Sequence, residues 1–111
     1  MRARASELNR SKRCLRSWAF SVLRPVWSGR FKRDVRRAEK RGKDMGKLRT
    51  VIILLAQQGP LPASYNDHPL RGDWKGYRDL HIEPDWLLLY QIEDDELRLA
   101  ATGTHSDLFD D

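Results

Sequence analysis

The sequence predicts an α+β fold, a helical hairpin near the front of the chain packed on a small, mainly antiparallel sheet. Three observations carry this. Apolar residues recur at helical spacing between residues 28 and 58, and leucine- and aromatic-rich runs follow between residues 76 and 101. Glycine, proline and polar clusters fall between these segments. Each helix has only a narrow apolar face, so the pair needs a sheet to cover.

Leu23 to Trp27 reads as a first strand, and Pro25, which has no amide to donate, places it at a sheet edge or a strand start. Ser28 is a helix cap. Phe31, Val35 and Ala38 then form a thin apolar stripe among Arg30, Lys32, Arg33, Arg36, Arg37, Lys40 and Arg41. Gly42 marks a turn and Asp44 caps a second helix, whose face is Met45, Leu48, Ile52 and Leu55 with Val51 beside them. Gly59-Pro60 stops that helix, and Pro62 and Asn66 extend the break into a loop. Gly76 to Ile82 is read as a strand, ended by Pro84. Trp86 to Ile92 is dense enough in leucine and aromatics to be a central strand buried on both faces. Glu93-Asp94-Asp95-Glu96 is a polar turn, and Leu97 to Ala101 returns as the second strand of a hairpin.

The chain has 111 residues, enough for one domain without a large internal cavity. At 40% hydrophobic and 33% charged, it is neither disordered nor membrane-embedded by composition. Residues 1–22 hold six basic and one acidic side chain and lack periodicity, so a flexible basic extension is expected ahead of a domain spanning residues 23–111. Residues 23–60 carry a net charge of +8 and residues 61–111 a net of −8. A basic front half suggests a polyanionic partner met by one surface, although a solvated arginine-rich helix carries the same charge. The single Cys14 permits neither an intramolecular disulfide nor a cysteine metal site. No apolar run approaches the roughly 18 residues of a membrane span. A cytoplasmic protein with no membrane partner is expected.

All three histidines, His68, His81 and His105, follow the helices and sit in loops or at strand ends. His81 and Asp85 flank the break at Pro84, and the ends of a hairpin sheet converge. Three imidazoles and a carboxylate suffice for RNA cleavage without a metal: one group takes the 2′-hydroxyl proton and another protonates the departing 5′-oxygen. Lys75 and Arg78 are cations close enough in sequence to offset transition-state charge. Two other readings fit the same residues. Each histidine is equally a hydrogen-bonded surface residue, and three histidines with an aspartate match zinc in ligand type, though not in motif spacing. Trp86 opens the apolar strand and is read as core, which leaves Phe109 as the better platform for stacking a base.

The run YNDHPLRGDWKGYRDLHIEPDWLLLYQ (residues 65–91), then TGTHSDLF (residues 102–109), with KRGKDMGKL (residues 40–48) upstream, resembles the YafQ-like branch of the RelE family of toxin–antitoxin systems. The resemblance covers about residues 24–109. It implies a RelE-like fold and an mRNA interferase that cuts transcripts in the ribosomal A site, uses no cofactor or metal, and is silenced by a cognate antitoxin. By position, His68 of DHPL, His81 and Asp85 of HIEPDW and His105 of THSDLF match the catalytic residues, and Phe109 matches a residue that orients the RNA. The working assignment makes His105 the acid and places His81 on the base side, assisted by Asp85 and His68. Arg33 and Arg37 of the basic helix are then expected to contact ribosomal RNA phosphates, on a surface that also suits an acidic antitoxin segment. A ParE-like topoisomerase-inhibiting toxin and a non-catalytic nucleic-acid-binding module are the competing functions.

Overall fold

Ser28 opens the first helix. Its hydroxyl oxygen accepts the Phe31 amide at 3.0 Å and its hydroxyl donates to the Ala100 carbonyl at 2.9 Å, so one side chain caps the helix and ties it to the sheet. The structure, a computed structural model, describes residues 22–109. The basic extension expected over residues 1–22 lies, apart from Val22, outside them. The elements are β1 (Arg24–Trp27), α1 (Gly29–Lys40), α2 (Met45–Ala56), β2 (His68–Pro69), β3 (Arg78–Glu83), β4 (Trp86–Glu93), β5 (Glu96–Gly103) and α3 (His105–Phe109), with 3₁₀ turns at Ala63–Tyr65 and Gly72–Trp74. The sheet order is β1-β5-β4-β3-β2. Only β1 pairs in parallel, with β5, so the sheet is mainly antiparallel and Pro25 does lie on an edge strand.

Both faces of the sheet are covered. Phe31, Val51 and Leu55 from the helices pack on Leu80, Trp86, Leu88, Tyr90, Leu97 and Leu99. On the reverse face Leu87, Leu89 and Ala101 pack under Leu108 of α3, with Leu70, Trp74 and Phe109 at the margin. β4 is therefore buried on both sides from Trp86 to Tyr90, as its run of leucines predicts, and Trp86 is core, whereas Ile92, expected in the buried run, is exposed. Leu97, Leu99 and Ala101 would share one face of a regular strand. Leu89 pairs with Ala101 and Tyr90 with Leu99, so Ala100 is an extra residue, and this bulge turns Ala101 to the reverse face and Thr102 toward the helices.

Two elements differ from expectation. The stretch around His68 was expected to be loop and is a two-residue strand paired with Arg78 and Asp79. The segment after the last strand is a five-residue helix, and β5 itself runs on to Gly103 rather than ending at Ala101. Neither short element contains enough residues to show a period, and a helix this short is unstable alone. Each exists because a partner strand or buried leucine holds it.

The stripe on α1 includes a charged residue. Asp34 is only 4% exposed. β1 pairs with β5 only as far as Leu99, which leaves the edge of β5 bare beyond it. Polar groups of α1 and its cap complete that edge: Ser28 donates to Ala100, the Thr102 amide donates to Asp34 Oδ2 at 3.1 Å, and Arg37 donates to the Thr102 carbonyl at 3.1 Å. Arg37 also pairs with Asp34 Oδ1 at 3.2 Å. Arg37, expected as an RNA contact, is thus committed to the sheet edge. Arg33 is exposed on the same helix.

Candidate active site

The register of the sheet assembles the histidines. His68 pairs with Asp79, and His81, two residues farther along β3, pairs with Leu87, which itself pairs with Gly103. Side chains two apart share a face. Asp79 and His81 therefore point to the reverse face, away from Leu80 and Ile82 in the helix-side core. α3 begins two residues after Gly103 and sets His105 beside His81. The rings form a chain: His68 to His81 is 5.8 Å between centroids, His81 to His105 is 5.7 Å, and His105 to Phe109 is 6.4 Å.

Each imidazole has a defined neighbour. His68 Nδ1 lies 2.7 Å from the Asn66 carbonyl, which can only accept, so that nitrogen carries the proton and Nε2 faces the site. His105 Nδ1 lies 2.7 Å from Asp85 Oδ1, and the same oxygen accepts the His105 backbone amide at 3.0 Å. These two donors, backbone first, hold the Asp85 carboxyl below the usual carboxylate range. Asp85 therefore serves His105. The expected assistance of His81 by Asp85 is not the arrangement found.

The carboxylate beside His81 is Asp79, which sequence reasoning missed. Its Oδ2 lies 3.6 Å from His81 Nε2 and 3.5 Å from His68 Nε2, between the two rings. Asp79 is 3% exposed and its Oδ1 has no hydrogen-bond partner. Burial pushes its carboxyl up, against the pull of His81, His68 and His105. The available signal was alternation: Asp79 stands two residues before His81 on a predicted strand. Because burial disfavours the charged form, the carboxylate carries a cost above its unfolded pKa, about 3.9, that grows with ionisation and that a neutral amide does not have. Asp79→Asn is therefore expected to keep or raise the thermal unfolding temperature at pH 7. A fall in unfolding temperature would show that the carboxylate is a stabilising anchor instead.

The two expected cations part company. Arg78 donates from Nε to Asp67 Oδ1 at 2.7 Å, and Tyr90 donates its hydroxyl to the other oxygen of Asp67. Alternation puts Arg78 on the face of Leu80, opposite His81, so it does not reach the histidines as expected. Lys75 is exposed in the turn before β3. Lys43, between the helices, lies 3.3 Å from Glu83 and 5.6 Å from the Trp86 ring centre, and its charge adds a small pull on the Asp85 carboxyl.

A family described as the bacterial toxin of type II toxin–antitoxin system, YafQ, matches residues 23–110. The chain is 55% identical over 84 residues to the mRNA interferase toxin YafQ of Escherichia coli K12, an alignment covering 75% of this chain and 91% of that protein. Among solved structures, it is similar to a chain of the E. coli DinJ–YafQ toxin–antitoxin complex, with a TM-score of 0.72, 52% identity, and 79% and 99% of the two chains covered. It is also similar to a metal-bound toxin from Helicobacter pylori, with a TM-score of 0.75, 40% identity, and 78% and 99% covered.

Proposed function

That the chain belongs to the YafQ family of bacterial type II toxin–antitoxin toxins is the premise from which we propose an endoribonuclease that cuts mRNA by metal-independent general acid–base catalysis. The observation that carries this reading is the string of three imidazoles, each beside an acceptor oxygen, ending at Phe109. His81, with Asp79 and His68 behind it, takes the proton of the 2′-hydroxyl. The 2′-oxygen attacks phosphorus, the bond from phosphorus to the 5′-oxygen breaks, and His105 gives that oxygen its proton. The products are a 2′,3′-cyclic phosphate and a free 5′-hydroxyl. Asp85 holds His105 in the orientation that presents Nε2 to the leaving oxygen. Phe109 stacks a base, and Lys75 meets the RNA backbone outside the cluster.

The substrate is mRNA in the ribosomal A site, and the exposed face of α1, with Arg33 on it, contacts ribosomal RNA. An antitoxin with an acidic segment covers the same face. No helix among the described residues is long and apolar enough to cross a membrane. The protein acts in the cytoplasm, where its substrate is.

A metal site is the second reading. The ligand atoms of His68, Asp79 and His81 lie within 4.8 Å of one another, and two imidazoles with a carboxylate suit a divalent transition ion. The unpartnered Asp79 oxygen fits that donor set as well. An ion there would supply Lewis-acid charge, but it would also occupy the lone pairs that the base role requires.

Primer extension on mRNA translated in vitro separates these readings. Wild-type protein stripped with EDTA and desalted before it meets the magnesium-dependent ribosomes is expected to produce the same discrete new 5′ ends as untreated protein, and His81→Ala none. Loss of cleavage after stripping, restored when a divalent transition ion is added back, would assign the chemistry to a metal. No cleavage by wild type under any condition would leave a ParE-like inhibitor or a non-catalytic binding module.

A further inference from the structure

The five residues of α3 carry His105 and Phe109, yet a single helical turn has no stability of its own. Its first turn is closed by a reciprocal pair. Asp107 Oδ2 accepts the Thr104 amide at 2.9 Å, and Thr104 Oγ1 accepts the Asp107 amide at 3.1 Å. The Asp107 carboxylate is then gripped from the last turn of α1 and its C-cap, Arg41. Arg41 donates from Nη1 to Oδ2 at 2.7 Å and from Nη2 to Oδ1 at 3.4 Å, and Arg37 Nη2 lies 3.7 Å from Oδ2. Arg30 donates to the Asp107 carbonyl at 3.3 Å while its guanidinium sits 5.8 Å from the centre of the Trp74 ring. Gly103 leaves no slack: a Cβ there would lie 2.8 Å from the Cβ of Asp107. Arg41, with Thr104, holds the Asp107 carboxyl far below the usual range.

None of these groups belongs to the histidine string, and all of them act on the helix that bears its last imidazole. We propose that Arg41, acting through Asp107, is a positioning residue that fixes α3 and so sets the reach of His105 toward the scissile phosphate. This rests on the nuclease reading. An arginine on the basic helix thereby works on the geometry of the site rather than on RNA. Asp85, from the turn between β3 and β4, holds the ring and the first amide of α3, and the Arg41–Asp107 bond fixes the rest of that helix against the end of α1.

The test uses the full chain and translated mRNA under single-turnover conditions. Arg41→Gln is expected to lower the maximal rate about ten- to hundredfold with half-saturation unchanged, because a displacement near 1 Å is enough for that loss. Arg41→Lys recovers part of it. The double variant Arg41→Gln/Asp107→Asn is expected to be no slower than Asp107→Asn alone. Amide hydrogen exchange gives a readout free of activity: in Arg41→Gln the Thr104 and His105 amides exchange faster while those of β4 do not. Raised half-saturation at an unchanged rate would show Arg41 holding RNA and overturn the proposal, as would multiplied losses in the double variant or unchanged exchange at Thr104. Wild type no more active than His105→Ala would instead sink the nuclease reading, with the exchange result still deciding the clamp.

Discussion

Replacing His105 with alanine is expected to slow mRNA cleavage by roughly 10²–10⁴-fold, the usual worth of one positioned proton transfer. The residue is exposed, so the fold should not register its loss. Its substitution leaves Asp85 at the surface, where water satisfies the freed oxygen. The assignment as acid adds a sharper expectation. An activated leaving group needs no proton, so His105→Ala should harm a substrate with a poor 5′-leaving group far more than one with a good one. His81→Ala should harm both alike, because the 2′-hydroxyl must lose its proton in either case. Equal losses on both substrates in His105→Ala would reverse the acid and base roles.

Trp86→Ala is expected to destabilise the domain by about 3–5 kcal/mol, the range for deleting a large buried aromatic side chain. Trp86 is 1% exposed and lies in the core between sheet and helices. Its Nε1 donates to Thr102 Oγ1 at 2.9 Å, and that hydroxyl in turn donates to the Leu87 carbonyl at 2.6 Å. Truncation opens a cavity and removes one link of a buried chain of hydrogen bonds. Domains of this size are stable by roughly 5–15 kcal/mol, and each kcal/mol moves the midpoint by about 4–8 °C. A fall of more than about 10 °C in a thermal melt is therefore expected. Ile92, on the same strand but 45% exposed, is the control, and Ile92→Ala should change stability by no more than about 0.5 kcal/mol. Similar losses at the two positions would contradict the burial pattern of β4.

Local rules were enough for what repeats along the chain. The caps at Ser28 and Asp44, the periodic faces of α1 and α2, the edge position implied by Pro25 and the doubly buried run from Trp86 all express constraints that act within a few residues. The turn at Asp94-Asp95 belongs with them; both residues take positive φ, 53° and 65°, as a tight hairpin with this twist requires. The three histidines were visible as residue types suited to proton transfer, and family motifs tied them together without showing who neighbours whom.

Beyond the hairpin at Asp94-Asp95, what pairing across the sheet decides was out of reach. Asp79 reads as one more acid in an acidic half of the chain until β2 and β3 align and bring His68 and His81 to it. Asp85 lies four residues from His81 in sequence, yet it serves His105 because α3 folds back across the strand ends. Arg37 and Arg78 look like free cations on a basic face or beside a site. Partners 65 and 11 residues away claim them. Helical and strand periods come from the backbone geometry of each segment and leave their mark on the sequence. Register, the bulge at Ala100 and the choice of ion-pair partner depend on contacts between distant segments, whose free energy exists only once the chain has closed on itself.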